Sequence, residues 1–83
     1  MSEPRVTLYT RPGCHLCDEA RSVVEAVCAE LGEEYAELDV DGDGFDPALR
    51  ERFTDEVPVT YVDGRQHDFW RVDPARLRAA LTS

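Results

Sequence analysis

Cys14 and Cys17 stand three residues apart, at the point where a strand pattern gives way to a helical one. The segment Val6 to Thr10 alternates and is rich in β-branched and aromatic residues, and the Arg-Pro-Gly triplet after it breaks a strand. Apolar residues then recur at helical spacing as far as a stop at Gly32; they are Leu16, Ala20, Val23, Val24, Val27 and Leu31. The pattern predicts a strand, a turn and a long helix that starts at the first cysteine.

The next segments predict a second strand and a short second helix. Tyr35 to Val40 has a strand pattern, and the helix before it makes a crossover that should place it parallel to the first strand. Asp41 to Asp46 is polar and is expected to be a loop. Pro47 to Phe53 is then expected to form a helix with Asp46 as its cap, because proline suits the first helical position.

A hairpin is predicted beyond the second helix. Val59 to Val62 and His67 to Val72 are strand candidates on either side of Asp63-Gly64, which is a strong turn signal. Phe69 and Trp70 are adjacent in the second of these strands and should therefore point to opposite faces. One of the two aromatic residues is expected to join the core.

The chain is predicted to end in a third helix. Asp73-Pro74 repeats the arrangement of a cap followed by a proline, and Leu77, Ala80 and Leu81 give this helix an apolar face. The element order is therefore βαβαββα, an α/β chain. Its 83 residues suffice for one core, so residues 1–83 are predicted to form a single domain.

The composition limits the expected partners. The net charge of −9 opposes approach to phosphate backbones, and the nine basic residues are scattered rather than clustered. No apolar run approaches the roughly 20 residues needed to cross a bilayer. The first residues lack the basic and apolar regions of a signal peptide, which makes the cytoplasm the expected compartment. We therefore expect neither a nucleic-acid nor a membrane partner.

The cysteine spacing places both thiols on one face of a helix start, near enough to close a disulfide. Cys14 falls at the first turn, where unpaired N–H groups and the helix dipole favour an anion. We therefore expect its pKa to lie below the free value of about 8.5 and Cys14 to act as the nucleophile. Cys17 lies one turn inside and is placed to resolve a mixed disulfide. Arg11 and His15 add positive charge near Cys14, while nearby carboxylates act the other way; these are Asp18, Glu19 and Glu56.

Zinc binding, a permanent disulfide and two unreactive thiols are the alternatives for a pair at this spacing. A structural zinc site needs four ligands, and only Cys14, Cys17 and His15 are close in sequence, with His67 remote. A close pair in a cytosolic βαβ unit favours catalysis over a permanent disulfide. We predict a redox-active pair and no metal ligands.

Two other features are predicted to be structural. Cys28 lies about 16 Å of helix rise beyond the second cysteine, too far to pair with it, and is expected to be a small buried hydrophobe. Asp39, Asp41 and Asp43 reproduce the opening of a calcium-binding EF-hand loop, but Arg50 stands where the loop needs glutamate. We expect a polar loop here, with a weak divalent-cation site as the alternative.

The segments Leu8 to Cys17 and Val57-Pro58 resemble the glutaredoxin-like branch of the thioredoxin superfamily, and the likeness covers nearly the whole chain. The resemblance implies the thioredoxin/glutaredoxin fold, a four-stranded mixed sheet flanked by helices. Its strand order would be second, first, third, fourth, with the last two strands antiparallel to the first pair. It also implies a cis bond before Pro58, substrate binding by Val57 and Pro58 beside the cysteines, and a role for Arg11 in binding a glutathione carboxylate.

The chain departs from ordinary glutaredoxins at three places. It has Asp68 to Asp73 in place of the Gly-Gly pair that approaches glutathione, Glu56 in place of a small hydroxyl residue, and His15-Leu16 inside the motif. His15 and Asp73 are for this reason candidate modulators of the site. No tightly bound cofactor is expected, and glutathione is kept as an alternative cosubstrate.

The sequence thus predicts a glutaredoxin-like thiol-disulfide oxidoreductase, monomeric, that acts on a disulfide-containing protein or a low-molecular-weight thiol substrate. Cys14 would attack and Cys17 would resolve. A glutathione-dependent glutaredoxin is the first alternative. A non-catalytic thioredoxin-fold binding module, which holds a partner in the Val57 groove or on an exposed aromatic surface, is the second. An iron–sulfur carrier with glutathione as co-ligand is the third.

Overall fold

The computed structural model describes residues 4–82, and the elements in this range follow the predicted order βαβαββα. None of its helices has the length and the apolar character that crossing a bilayer requires. The elements are β1 Val6–Thr10, α1 His15–Leu31, β2 Tyr35–Asp39, α2 Pro47–Phe53, β3 Val59–Val62, β4 Arg65–Phe69 and α3 Pro74–Thr82.

The four strands form one mixed sheet in the order β2-β1-β3-β4, as the resemblance implies. Strand β1 runs parallel to β2 and antiparallel to β3, and β3 runs antiparallel to β4. The expectation that the last two strands both run antiparallel to β1 and β2 is therefore correct for β3 and wrong for β4. The hairpin between β3 and β4 reverses the chain once more, so that β4 runs in the direction of β1.

Helix α1 has well-defined ends. Cys14 is its N-cap, with an extended backbone at φ −102° and ψ 113°. Gly32 ends it in the left-handed conformation at φ 69°, where glycine carries no Cβ penalty, and the Gly32 N–H donates to the carbonyl of Cys28. The helix therefore begins immediately after the first cysteine, as predicted.

The sheet separates two apolar clusters. On one face α1 and α3 cover β1 and β3, through Val6, Leu8, Ala20, Val24, Val27, Cys28, Val62, Val72, Leu77 and Leu81. On the other face α2 covers the sheet through Val40, Phe53 and Val59, with Tyr9 and Tyr61 packed against them. Alternating residues of β1 point to the two faces. The start of α1 lies near the carboxyl end of this strand, because only four residues separate the end of β1 from the beginning of the helix.

Val40 lies one residue beyond the end of β2, although it was predicted to be the last residue of that strand. Its N–H donates to the Thr10 carbonyl at 2.9 Å, and its side chain is fully buried. Strand pairing between β1 and β2 stops at Thr10 and Asp39. The chain therefore leaves the sheet here while its apolar side chain remains in the core.

Strand β4 differs from its predicted range of His67 to Val72. It begins directly after a two-residue turn in which Asp63 and Gly64 both have positive φ, 53° and 81°, as hairpins of this length require. It ends at Phe69 because Trp70 turns the chain, with φ 65°. The polar, exposed start of this edge strand gave no hydrophobic pattern by which to place it.

Phe69 and Trp70 lie on the surface together, so the prediction that one of them joins the core is wrong. Their side chains are 48% and 51% exposed, and the two rings meet edge to face with centroids 5.0 Å apart. Alternation between faces holds only within a strand, and the strand ends between these two residues.

We expect Leu77→Ala to lower the free energy of unfolding by about 2–5 kcal/mol, because Leu77 of α3 is fully buried in the apolar cluster under α1 and α3. Leu38→Ala is the matched control, since Leu38 is 44% exposed on β2, and we expect it to cost about 1 kcal/mol or less. Urea unfolding followed by circular dichroism measures both. Equal costs would contradict the packing of α3 described above.

Candidate active site

The Cys14 sulfur lies at the N-terminus of α1 and is partly exposed. It accepts a hydrogen bond from the backbone N–H of Cys17 at 3.1 Å. An amide donor and the positive end of a helix dipole both stabilise negative charge on a sulfur atom in this position. The first cysteine is therefore placed at the helix end with its sulfur against a backbone amide, in a residue that is partly exposed.

Cys17 lies one turn further along and is completely buried. Burial, and after it the hydrogen bond with Cys14, raises the pKa of the Cys17 thiol to about 12; the Arg11 backbone and the Arg21 charge oppose this more weakly. At neutral pH the second thiol is therefore protonated. The structure describes Cys14, Cys17 and Cys28 as free thiols, so the pair is shown in its reduced form.

Cys28 is separate from the pair. It is 2% exposed in the cluster under α1 and α3, and burial raises its pKa. The prediction of a small buried hydrophobe is confirmed.

Arg11 follows β1 and reaches across to the loop after β2. Its Nε and Nη2 donate to the two carboxylate oxygens of Asp41 at 2.8 and 3.4 Å, and its Nη1 donates to the Thr54 carbonyl at 3.2 Å. The Asp41 carboxylate raises the pKa of Arg11. The guanidinium that the resemblance assigns to a glutathione carboxylate is thus already held by a carboxylate of the chain.

The loop that resembles an EF-hand opening forms a turn. The Asp41 N–H donates to the Asp39 carboxylate at 2.8 Å, and the Gly42 N–H donates to the Asp39 carbonyl at 3.0 Å. The carboxylate of Asp41 is directed to Arg11. Over residues 4–82, no group of three or more His, Cys, Asp or Glu side chains is arranged to hold a metal ion.

The Val57–Pro58 peptide bond is cis, as the resemblance implies. Pro58 is buried and Val57 is partly exposed. The Val57 N–H donates to the Phe53 carbonyl at 3.0 Å, whereas the Val57 carbonyl receives no hydrogen bond from any residue in the described range. One backbone acceptor is therefore open at the position assigned to an extended substrate.

Trp70 fastens the loop before β3 to the end of β4. Its backbone N–H donates to the carbonyls of Pro58 and Glu56 at 2.8 and 3.3 Å, and its indole Nε1 donates to the Asp55 carbonyl at 2.8 Å. The other side of Trp70 borders a groove of about 140 Å³, whose lining is Leu16, Glu19, Ala20, Val23, Trp70, Arg71 and Val72. Trp70 therefore connects the cis-proline loop with the first turns of α1.

The two candidate modulators occupy different settings. His15 is exposed as the first residue of α1, and its side chain makes no hydrogen bond or ion pair with the residues described. Asp73 caps α3, where one carboxylate oxygen accepts the N–H groups of Ala75 and Arg76 at 2.9 and 3.3 Å. The carboxylate of Asp73 thus already has a structural role.

An ion-pair network lies behind the cysteine pair. Arg21 donates to both carboxylate oxygens of Glu37, each at 2.7 Å, and to Asp18 at 2.8 Å, and the Thr10 hydroxyl donates to Glu37 at 3.0 Å. These contacts join α1, β1 and β2. Arg21 shares its single positive charge between Glu37 and Asp18, so it compensates only part of the charge of Asp18, one of the carboxylates expected to oppose a thiolate.

Sequence reasoning named Asp41 as part of a polar loop and Trp70 as one of two adjacent aromatic residues, but it missed their contacts at the site. A signal for Asp41 was present, because Arg11 and Asp41 follow neighbouring parallel strands, whose carboxyl ends meet at the same edge of a sheet. No local signal marks Trp70, since its left-handed backbone is held by carbonyls of a distant loop.

The chain is similar to two bacterial proteins of known structure. One, from Xanthomonas campestris, is 35% identical with a TM-score of 0.71, and the match covers 92% of this chain and 93% of that one. The other, Ne2328 of Nitrosomonas europaea, is 26% identical with a TM-score of 0.73 over 95% of this chain and 93% of that one. The holo form of glutaredoxin C1 from a poplar hybrid has a TM-score of 0.57 at 15% identity, over 95% of this chain and 77% of that one. This last likeness supports the thioredoxin-like fold alone.

Sequence relatives give the same assignment. Uncharacterized proteins of Mycobacterium bovis and Mycobacterium tuberculosis are each 42% identical to this chain, over 98% of its length and 86% of theirs. The model of the Glutaredoxin-like domain family (DUF836) matches residues 5–82, nearly all of the chain. The fold, the cysteine pair and this match agree: the chain belongs to the Glutaredoxin-like domain family (DUF836).

Proposed function

We propose that the protein is a thiol-disulfide oxidoreductase that reduces disulfides by dithiol exchange. The observation that carries the proposal is the placement of the pair: Cys14 is partly exposed and its sulfur accepts a hydrogen bond from a backbone amide at the helix N-terminus, while the Cys17 thiol is buried one turn behind. Membership of the glutaredoxin-like family supports the same chemistry. We assign the substrate to disulfide-containing proteins or to the disulfides of low-molecular-weight thiols, and the compartment to the reducing cytoplasm.

The reaction consists of two exchanges. The Cys14 thiolate attacks one sulfur of the substrate disulfide, forms a mixed disulfide and releases the other sulfur as a thiolate, which takes up a proton. Cys17 then attacks the Cys14 sulfur and closes the Cys14–Cys17 disulfide, while its proton passes to the departing substrate sulfur, which leaves as the second thiol. Two electrons and two protons pass to the substrate. A dithiol reductant, or two molecules of a monothiol, returns them to the enzyme.

Dithiol exchange is preferred to the glutathione-dependent mechanism because of Arg11 and Trp70. Arg11 is engaged by Asp41, and Trp70, with its large side chain, stands in the segment that replaces the Gly-Gly pair of ordinary glutaredoxins. Both features act against a bound glutathione carboxylate. We therefore propose no tightly bound cofactor, and leave glutathione the role of an external reductant.

Replacing each cysteine separately tests the two assigned roles. We expect Cys14→Ser to lower turnover of a protein disulfide by at least about 100-fold, because the attacking thiolate is lost. Cys17→Ser should stop after the first exchange and accumulate a mixed disulfide at Cys14, visible by mass spectrometry. Cys28→Ala is the control and should stay within about twofold of the parent.

Two outcomes would contradict this mechanism. Turnover that survives Cys14→Ser would show that Cys14 is not the nucleophile. Full turnover by Cys17→Ser with glutathione present would assign the glutathione-dependent reaction instead.

The pKa of Cys17 predicts how stability depends on pH. Below about 9 the thiol is protonated in both the folded and the unfolded chain, so its contribution is constant. Above that value the unfolded chain loses the proton first, because the folded pKa is raised to about 12. The free energy of unfolding of the reduced protein should therefore fall, by up to about 1.4 kcal/mol per pH unit from this group.

Cys17→Ala is the reference for this effect. It keeps the other thiol and phenol groups whose pKa is raised, Tyr9, Cys28 and Tyr35, so the difference between the two slopes isolates Cys17. We expect a shallower fall between pH 9 and 11 in the variant, measured by urea unfolding under reducing conditions. Identical slopes would show that Cys17 ionises as readily in the folded protein as in the unfolded chain.

A further inference from the structure

We propose that the preferred substrate is a disulfide in a polypeptide segment that carries basic residues beside its cysteine. This inference rests on the proposed function and names the substrate class of the same site. Its basis is the charge around the groove beside the cysteine motif, together with an open backbone acceptor and an apolar surface of limited size.

Carboxylates without a cationic partner lie at the groove and on the loop across Trp70 from it. Glu19 lines the groove, and its carboxylate makes no hydrogen bond or ion pair with any residue in the range 4–82. Asp55 and Glu56 belong to the loop on the other side of Trp70, where their carbonyls accept hydrogen bonds from the Trp70 indole and backbone N–H. The Glu56 carboxylate accepts only a long contact of 3.4 Å from Gln66, and that of Asp55 is exposed without a partner in the described range.

The basic residues of this region do not balance these charges. Arg11 is held by Asp41 and the Thr54 carbonyl, so its charge is already compensated. Arg71 lines the groove, is exposed, and its side chain makes no ion pair in the described range. The segments that meet at Trp70 therefore carry three carboxylates and one arginine without an ionic partner in the described range, on a chain whose net charge is −9. Such a potential attracts cations and repels anionic thiols such as glutathione.

The shape of the site favours a polypeptide. The Val57 carbonyl has no donor in the described range and is open to the N–H of an extended strand. The groove of about 140 Å³ between Leu16, Val23 and Trp70 is close in size to a cavity that takes up benzene, so it accommodates one apolar side chain. Phe69 packs against Trp70 and extends the exposed apolar surface.

Three disulfide-linked peptide dimers test the charge preference. They share a Leu-Cys core and differ only in the flanking residues, which are arginine, glutamine or glutamate. The single-turnover rate constant of the reduced protein is measured with each dimer and divided by the rate constant with which dithiothreitol reduces the same dimer. Dithiothreitol is a small dithiol without other charged groups, so this normalised rate corrects for the intrinsic reactivity of each disulfide. We expect the normalised ratio of arginine to glutamate peptide to reach at least about tenfold at low ionic strength and to shrink in 0.5 M salt.

Substitution of the carboxylates locates the source of the preference. Glu19→Gln and Glu56→Gln should each lower the normalised ratio, by about threefold when combined. Glu34→Gln is the matched control, because it removes the same charge from an exposed position beyond the opposite end of α1. Its ratio should equal that of the parent.

The possible results distinguish a failure of the substrate inference from a failure of the proposed function. Equal normalised rates for the three peptides would overturn the substrate inference and leave the proposed function intact. An equal loss of preference in Glu34→Gln would show that net charge, and not Glu19 and Glu56, sets the preference, which also overturns the inference. Failure to reduce any of the peptides or glutathione disulfide would overturn the proposed function itself.

Discussion

The hydrogen bond from the Cys17 amide to the Cys14 sulfur is the constraint on which the rest of the site depends. It exists because the chain leaves β1, turns at Gly13 with φ 74°, and enters α1 with Cys14 as its cap. Val24 and Val27 of the same helix are buried in the cluster between α1 and the sheet, which fixes the helix against β1. One local arrangement thus leaves the first sulfur accessible at an amide-rich helix end and buries the second sulfur one turn away.

The elements with strong local signals were predicted closely, and those held by distant contacts were not. Asp46 and Pro47 start α2 as expected, and Asp63-Gly64 forms the two-residue turn that its sequence favours. The end of β4 was misplaced because Trp70 takes a left-handed backbone to reach the carbonyls before β3. Such a turn depends on the tertiary neighbour, which no window of sequence contains.

The same distinction holds within the site. The spacing of Cys14 and Cys17 and the strand-to-helix position sufficed to identify the pair. The partner of Arg11 was missed because Asp41 was interpreted as part of a loop of its own, although both residues follow neighbouring parallel strands. That ion pair changes the chemistry of the site: the arginine that a resemblance assigns to an anionic ligand is compensated, and the unpaired charges that remain nearby are mainly negative.

The central claim is that Cys14 and Cys17 form a disulfide with each other when a substrate is reduced. The most direct measurement is alkylation and mass spectrometry of the protein after one turnover, with trypsin cleavage at Arg21 separating this pair from Cys28. The account predicts a peptide that has lost two hydrogen atoms and contains both cysteines, while Cys28 is alkylated in full once the protein is unfolded. Reduced substrate with both cysteines of the pair still alkylated, or a disulfide that includes Cys28, would contradict it.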